Sequence, residues 1–300
     1  MTATDTATTP GALPPPRGMP VAAVRVPART STSEARAIKI VWQRELIRFS
    51  SDRLRIVTSL VQPFLFLFVL GSGLSRLTQG STGGLSLRTF LYPGILAMAV
   101  MFTAMFSAAS IVWDREFGFL REMLVAPVRR SSIVIGKCLG GATVASFQGV
   151  VVIAIAGLVG VPYNAELIVA VFGIQLLLAF AITAFGVMAA ARVSQMQSFM
   201  ALTQMLIMPL FFLSGAMFPA SNLPGWLTVL NRIDPLTYAV DPMRRIIFSH
   251  LHLAPGVQSS LNSGVTWGGW KVPTMLEVGL IAVMGILMLG IAILEFNHSD

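Results

Sequence analysis

Residues 89–113 read TFLYPGILAMAVMFTAMFSAASIVW, and residues 114–130 continue DREFGFLREMLVAPVRR. The first stretch runs 25 residues without a formal charge. About 20 predominantly apolar residues carry a helix across roughly 30 Å of hydrocarbon, so this stretch is long enough to span a bilayer. The second stretch places seven charges in 17 residues and ends the span abruptly. A long charge-free run followed by a short charged one is the pattern of a multi-pass helical membrane protein, and the rest of the chain repeats it.

Working outward, similar runs place spans at residues 56–75, 131–161, 167–191, 198–218 and 274–294, making six with 89–113. The third helix starts near Ser131, ahead of the charge-free run that begins at Cys138, and the sixth reaches back past Glu277 to Thr274. The fifth is closed by the Pro219 to Gly225 stretch. Residues 246–270 also lack Asp, Glu, Lys and Arg, but His250, Pro255, Gly256, Asn262 and Gly264 make them too polar to insert. They belong to a loop at residues 219–273.

Composition agrees. The chain is 55% hydrophobic and 11% charged, with a mean hydropathy of +0.76, whereas a soluble domain is about 25% charged. The net charge of +8 raises the question of nucleic acid. Nine of the 21 Lys and Arg precede residue 56 and four more fall within 114–130, so the basic charge reads as membrane topology and no nucleic-acid partner is expected. With the N-terminus inside, the inner segments hold 15 Lys and Arg and the outer ones six, which predicts cytoplasmic N- and C-termini in a cell (plasma or inner) membrane. Loop 114–130 is then cytoplasmic and loop 219–273 extracytoplasmic. The one cysteine, Cys138, excludes an internal disulfide, and the three His lie far from it, so no metal site is expected.

Residues 1–32 are rich in Thr, Ala and Pro and are expected to form a disordered cytoplasmic tail. In residues 33–53, Ile38, Val41, Trp42, Leu46 and Phe49 recur at helical spacing, with Arg36, Lys39, Arg44 and Arg48 on the other side. This predicts a basic amphipathic helix lying in the headgroup plane. The fold expected is an all-α integral membrane protein: six transmembrane helices preceded by an amphipathic interfacial helix.

In loop 114–130, Phe117, Leu120 and Leu124 fall on one helical face, Asp114, Arg115, Arg121 and Glu122 lie around it, and Pro127 stops the helix. Apolar side chains to bury, charges to set register and a stiff end suit a docking element. The plain alternative is a solvated juxtamembrane loop.

Here the residues resemble a known family. Arg115, Glu116, Gly118, Leu120, Leu124, Pro127 and Arg129 match the first cytoplasmic loop of type-2 ABC exporter permeases, in particular the daunorubicin-resistance-like ones. Leu213-Ser214-Gly215, Asn222-Leu223-Pro224-Gly225-Trp226 and Asp234-Pro235-Leu236-Thr237-Tyr238 add to the resemblance, which covers about residues 33–294. Phe119 stands where many relatives have Thr, and Asp234 where many have Asn. The resemblance implies that 114–130, with Arg115, Glu116, Phe117, Gly118, Leu120, Arg121, Leu124, Pro127 and Arg129, is a coupling loop seated on a separate ABC ATPase. It further implies two ATPase copies binding ATP and Mg, a second permease copy or a sister permease, and export of a hydrophobic or amphipathic drug or lipid-like substrate.

This chain is not expected to be an enzyme or to bind a cofactor. Its one Gly-Lys pair, Gly136-Lys137, is followed by Cys138, and Ser131 stands where a phosphate-binding loop needs its first Gly. Thr103, Ser107, Gln148, Thr183 and Gln204 either line a pathway or permease interface, or hydrogen-bond between neighbouring helices. An ion-coupled carrier is the alternative, but the span centres lack the titratable residue it needs; Lys137, Glu166 and Glu277 sit at predicted ends, where snorkelling explains them. A channel would need a continuous polar stripe, and none is present.

Overall fold

The computed structural model describes residues 31–73, 86–120, 123, 128–217, 224–251, 264–267 and 269–298. Helix α1 (Ser31–Ser51) precedes six helices long and apolar enough to cross a membrane: α2 (Arg53–Gly73), α3 (Leu87–Glu116), α4 (Arg130–Ala154), α5 (Ala165–Ala191), α6 (Met196–Leu213) and α9 (Thr274–His298). Two shorter helices, α7 (Gly225–Ile233) and α8 (Pro235–Ser249), and a hairpin of β1 (Thr266–Trp267) and β2 (Trp270–Lys271) lie between α6 and α9. The expected all-helical fold with six spans after an N-terminal helix is present.

Local chemistry sets the boundaries. Asp52, Ser86, Asn164 and Asp234 cap α2, α3, α5 and α8, each accepting a backbone N–H from the first turn. Inside α2, Pro63 cannot donate to the Ser59 carbonyl, and the helix widens to a π-turn over Phe66–Leu70. Helix α6 ends at Leu213, ahead of Pro219, because the Ser214 hydroxyl bonds Phe211 O and accepts Ala216 N–H while Gly215 turns at φ +74°. Helix α3 continues through Glu116, taking three residues from the expected loop.

The core runs along α3. Of its span 78% is buried, against 17% for α2 and 22% for both α6 and α9, so the last three present most of their surface outward. Most of their outward residues, among them Leu54, Val57 and Val61 on α2 and Val283, Ile286 and Leu287 on α9, are apolar, as suits lipid contact. The five tryptophans sit near the two ends: Trp42 and Trp113 by α1, and Trp226, Trp267 and Trp270 at the far end, as at membrane–water interfaces.

Helix α1 does not lie alone against lipid. A Cβ on Gly136 of α4 would come within 2.8 Å of Val41 Cβ, and one on Gly140 within 2.7 Å of Glu45 Cβ, so these two glycines let the α1 and α4 backbones meet. Trp42 Nε1 donates to Thr143 Oγ1 at 3.0 Å across the same contact. Ile40 and Ile47 remain exposed.

At the far end α7 and α8 close over α6. Asn231 Nδ2 donates to Leu213 O and Thr237 Oγ1. Arg244, buried, donates to Gly215 O at 2.7 Å and Ala216 O at 3.2 Å, with its guanidinium 4.7 Å from the Phe90 ring centre. Burial draws Arg244 down to about 10, with Asp241 opposing. Glu277, read from sequence as a snorkelling end residue, is instead buried; Arg245 pairs with it and with Asp241.

Asp234 caps α8 while buried, and desolvation pushes its carboxyl from 3.8 up to about 8 against the hydrogen bonds from Leu236 and Thr237. Because the folded chain holds this proton where the unfolded chain has lost it, stability falls as pH rises from about 4 to about 8. Asn caps as well as Asp without a charge to bury. Asp234→Asn is therefore expected to raise the Tm at pH 8 and to flatten its dependence between pH 6 and 8, as measured by thermal unfolding in detergent. An unchanged pH profile would refute this.

Candidate functional site

The end of α3 gathers four other elements through consecutive residues. Asp114 is buried, and its carboxylate takes Lys137 of α4 on one oxygen and Arg44 of α1 on the other, each at 2.5 Å. Lys137 Nζ also meets Glu45 Oε1 of α1 at 2.6 Å and Ser110 Oγ at 3.0 Å. Lys137 is thus a buried, fully paired cation, which corrects the snorkelling expectation. Glu45 is the acid that the basic face of α1 turns inward.

Arg115 and Glu116 follow, and each serves a different helix end. Arg115 Nη1 donates to Ala191 O at 3.0 Å and Val193 O at 2.9 Å, where α5 leaves its carbonyls unpaired. Glu116 Oε2 accepts the Met196 N–H at 3.1 Å, the first of α6, whose own N-cap Gln195 makes no side-chain cap. A cation at a helix C-terminus and an anion at a helix N-terminus both complement the helix dipole.

Gly118 then takes φ +81°, the left-handed conformation that ends a helix after its C-cap. This break separates residues that the sequence placed on one face. Phe117 is 64% and Phe119 53% exposed, while Leu120 is 4% exposed and joins the core cluster with Val134, Cys138, Phe199 and Phe296. Phe117 packs edge-on against Trp113 with ring centres 5.6 Å apart. Together with Ile47, Arg44 and Phe119 these rings border a cavity of about 480 Å3. Arg121, Leu124 and Pro127 lie outside the described residues.

On the return, Arg129 is the N-cap residue of α4, and its backbone N–H meets Glu34 of α1 at 3.1 Å. Arg130 Nη1 donates to Phe296 O at the end of α9. Helix α1, residues 114–116, 129 and 130, and the ends of α5, α6 and α9 are therefore joined in one network.

The polar residues of the spans are not gathered in one place. Ser107 and Thr183 meet over Gly141 where α3, α4 and α5 cross, and Thr183 bonds Ala179 O within its own helix. Gln148 accepts from Ser59 at 3.1 Å, joining α2 to α4. Thr103 is buried, and Gln204 faces outward on α6. Ser107 and Thr183 sit at a helix crossing and Gln148 at a helix contact.

The Asp114–Lys137–Glu45 cluster was not read from the sequence. Its signal was one charge of odd sign or place in each of three segments: an acid on a basic helix, a lysine inside an apolar span and an acid ending a charge-free run.

Five spanning helices around a buried sixth, α3, with charged clasps where α3 leads into the loop between the second and third spans, define an integral membrane protein. Residues 36–248 match the profile of the ABC-2 type transporter family, and the chain belongs to that family. It is 31% identical over 245 residues to Nodulation protein J of Rhizobium meliloti (strain 1021), covering 80% of this chain and 91% of that one. It is 28% identical over 213 residues to the inner membrane transport permease YadH of Escherichia coli (strain K12), covering 69% and 81%. YbhR of the same organism, which carries the name of a multidrug ABC transporter permease, is 29% identical over 164 residues, covering 54% and 44%. The chain is thus a transport permease and not an enzyme, and membership implies an ABC ATPase subunit as partner.

Lys137→Met would leave Asp114 and Glu45 buried without their shared cation, a loss of about 3–5 kcal/mol for a broken buried pair. A sharply lower Tm is expected, with substantial recovery when Glu45→Gln and Asp114→Asn are added, in detergent unfolding assays. Equal stability of the single and triple variants would refute the pairing.

Proposed function

We propose that this chain is the membrane subunit of an ABC exporter whose motor docks on the α1 end of the bundle. The observation that carries the reading is the exposed group of Trp113, Phe117 and Phe119 with Ile47, set on a backbone that Arg115 and Glu116 clamp to α5 and α6. Exposed aromatic rings beside arginine are typical binding anchors. A rigid base lets force on the rings reach the spans behind them. Two copies of the ATPase, carrying ATP and Mg, would sit beneath two permeases, either two copies of this chain or this chain and a sister permease.

The excess of Lys and Arg at the α1 end supports placing it, and both termini, in the cytoplasm. The cargo class is a hydrophobic or amphipathic drug or lipid-like molecule. In support, YbhR is named for multidrug transport, and mid-span ionisable groups for a coupling ion are missing from the apolar runs. Motion of the loop under ATP would switch the permease pair between inward and outward access.

The test is co-purification of co-expressed candidate ABC ATPases through a tag on the permease alone. The double variant Phe117→Ser/Phe119→Ser is expected to lose about tenfold or more in ATPase affinity, the scale of a lost binding anchor, with its own Tm unchanged. Undiminished co-purification would reject this docking surface.

A further inference from the structure

At the corner where α1 gives way to α2 lies a cavity of about 500 Å3, walled also by α3, α4 and α6. Its lining is divided. Arg48 and Arg55 bring guanidinium groups, Ser107 and Ser110 bring hydroxyls, and Phe49, Phe106, Trp113 and Met200 supply apolar surface.

The acids nearby are already engaged. Glu45 pairs with Lys137 at 2.6 Å, Asp114 is shared between Lys137 and Arg44, and Asp52 accepts the backbone N–H of Arg55 at 3.0 Å. Arg55 is half-buried and has no carboxylate oxygen within 4.0 Å among the described residues; Asp52 attracts it from farther away. Arg48 lies 5.2 Å from the Trp113 ring centre, and its nearest carboxylate oxygen, on Asp114, is 3.8 Å away and already taken by Arg44. Arg44, Arg48, Arg55 and Lys137 thus face Glu45, Asp52 and Asp114, leaving one positive charge in excess. Guanidinium groups in a partly desolvated wall recognise planar or tetrahedral oxyanions through paired N–H donors.

We propose that this cavity binds the anionic head of an amphiphile, a phosphate or carboxylate held by Arg55 and Arg48. Its chain lies along Phe49, Phe106 and Met200. A cationic head would meet the excess positive charge, and a zwitterionic one would bring its own cation to the same wall. Inorganic phosphate would leave the apolar wall uncovered. Such an amphiphile comes either as cargo or as a resident lipid of the membrane. Calling it cargo rests on the exporter reading above, whereas binding itself does not.

The experiment measures binding of radiolabelled lysophosphatidic acid to the chain purified in dodecyl maltoside, without any ATPase. Unlabelled lysophosphatidylcholine, dodecyltrimethylammonium and millimolar inorganic phosphate serve as competitors. Arg55→Gln is expected to weaken binding about tenfold or more, the scale of a lost charge-assisted hydrogen bond, while Arg55→Lys, which keeps the charge and loses the paired donors, is expected to weaken it less than Arg55→Gln does. Arg53→Gln, one turn-start away and outside the cavity lining, is expected to bind as the parent does and controls for loss of surface charge. Equal losses in the Arg53 and Arg55 variants, equal affinity for lysophosphatidylcholine, or displacement by inorganic phosphate alone would each overturn the proposal. In a complex with its ATPase, loss of label on adding ATP marks cargo and retention marks a resident lipid, and both uphold the site.

Discussion

A helix that ends near a bilayer leaves its last carbonyls short of donors, and in this protein arginines reach across from other elements to supply them. Arg115 serves α5 and Arg130 serves α9, while Arg244 holds the Gly215–Ala216 turn that follows α6. Each bond joins residues distant in sequence, so helix-end satisfaction and helix-bundle assembly are the same event. The short connections between spans are possible because the ends are held from outside. Without Arg115 and Glu116 the junction between α5 and α6 would have unpaired polar groups on both sides of a four-residue link.

The consecutive placement of Asp114, Arg115 and Glu116 has a mechanical meaning. Asp114 is tied to α1 and α4, Arg115 to α5 and Glu116 to α6, while Phe117 next in line faces outward. A displacement imposed at Phe117 is therefore delivered to five helices, counting α3 itself, within one helical turn. Buried charge pairs resist such displacement unevenly, because separating them exposes ions that neither lipid nor protein accepts.

Much of this was legible in the chain. Spans announce themselves through charge-free length, and the rejection of residues 246–270 rested on polar content alone; the described part of that run holds the end of α8 and the hairpin. The glycines Gly136 and Gly140 stand four residues apart on α4, a spacing that suits close helix packing but does not name α1 as the partner. What stayed hidden were contacts between residues far apart in sequence. Lys137 and Glu45 are 92 positions apart, and no periodicity links an acid on one helix to a cation inside another. Phe117 and Leu120 misled for a local reason: helical spacing assumes an unbroken helix, and one left-handed glycine between them reverses which side chain turns inward.

Helix length offers a last consequence. Helix α3 has 30 residues and α6 has 18, or about 45 Å and about 27 Å at 1.5 Å per residue. A hydrocarbon layer of about 30 Å exceeds the shorter helix and falls well short of the longer. Helix α3 is shielded from lipid along most of its length, whereas α6 is exposed to it, so the bilayer acts on the two unequally. In a thicker membrane, mismatch strain falls on α6 and α2 and passes to α3 through Glu116 and the π-turn neighbourhood. Acyl-chain length thereby becomes a mechanical input to the same loop end that carries the exposed aromatic rings.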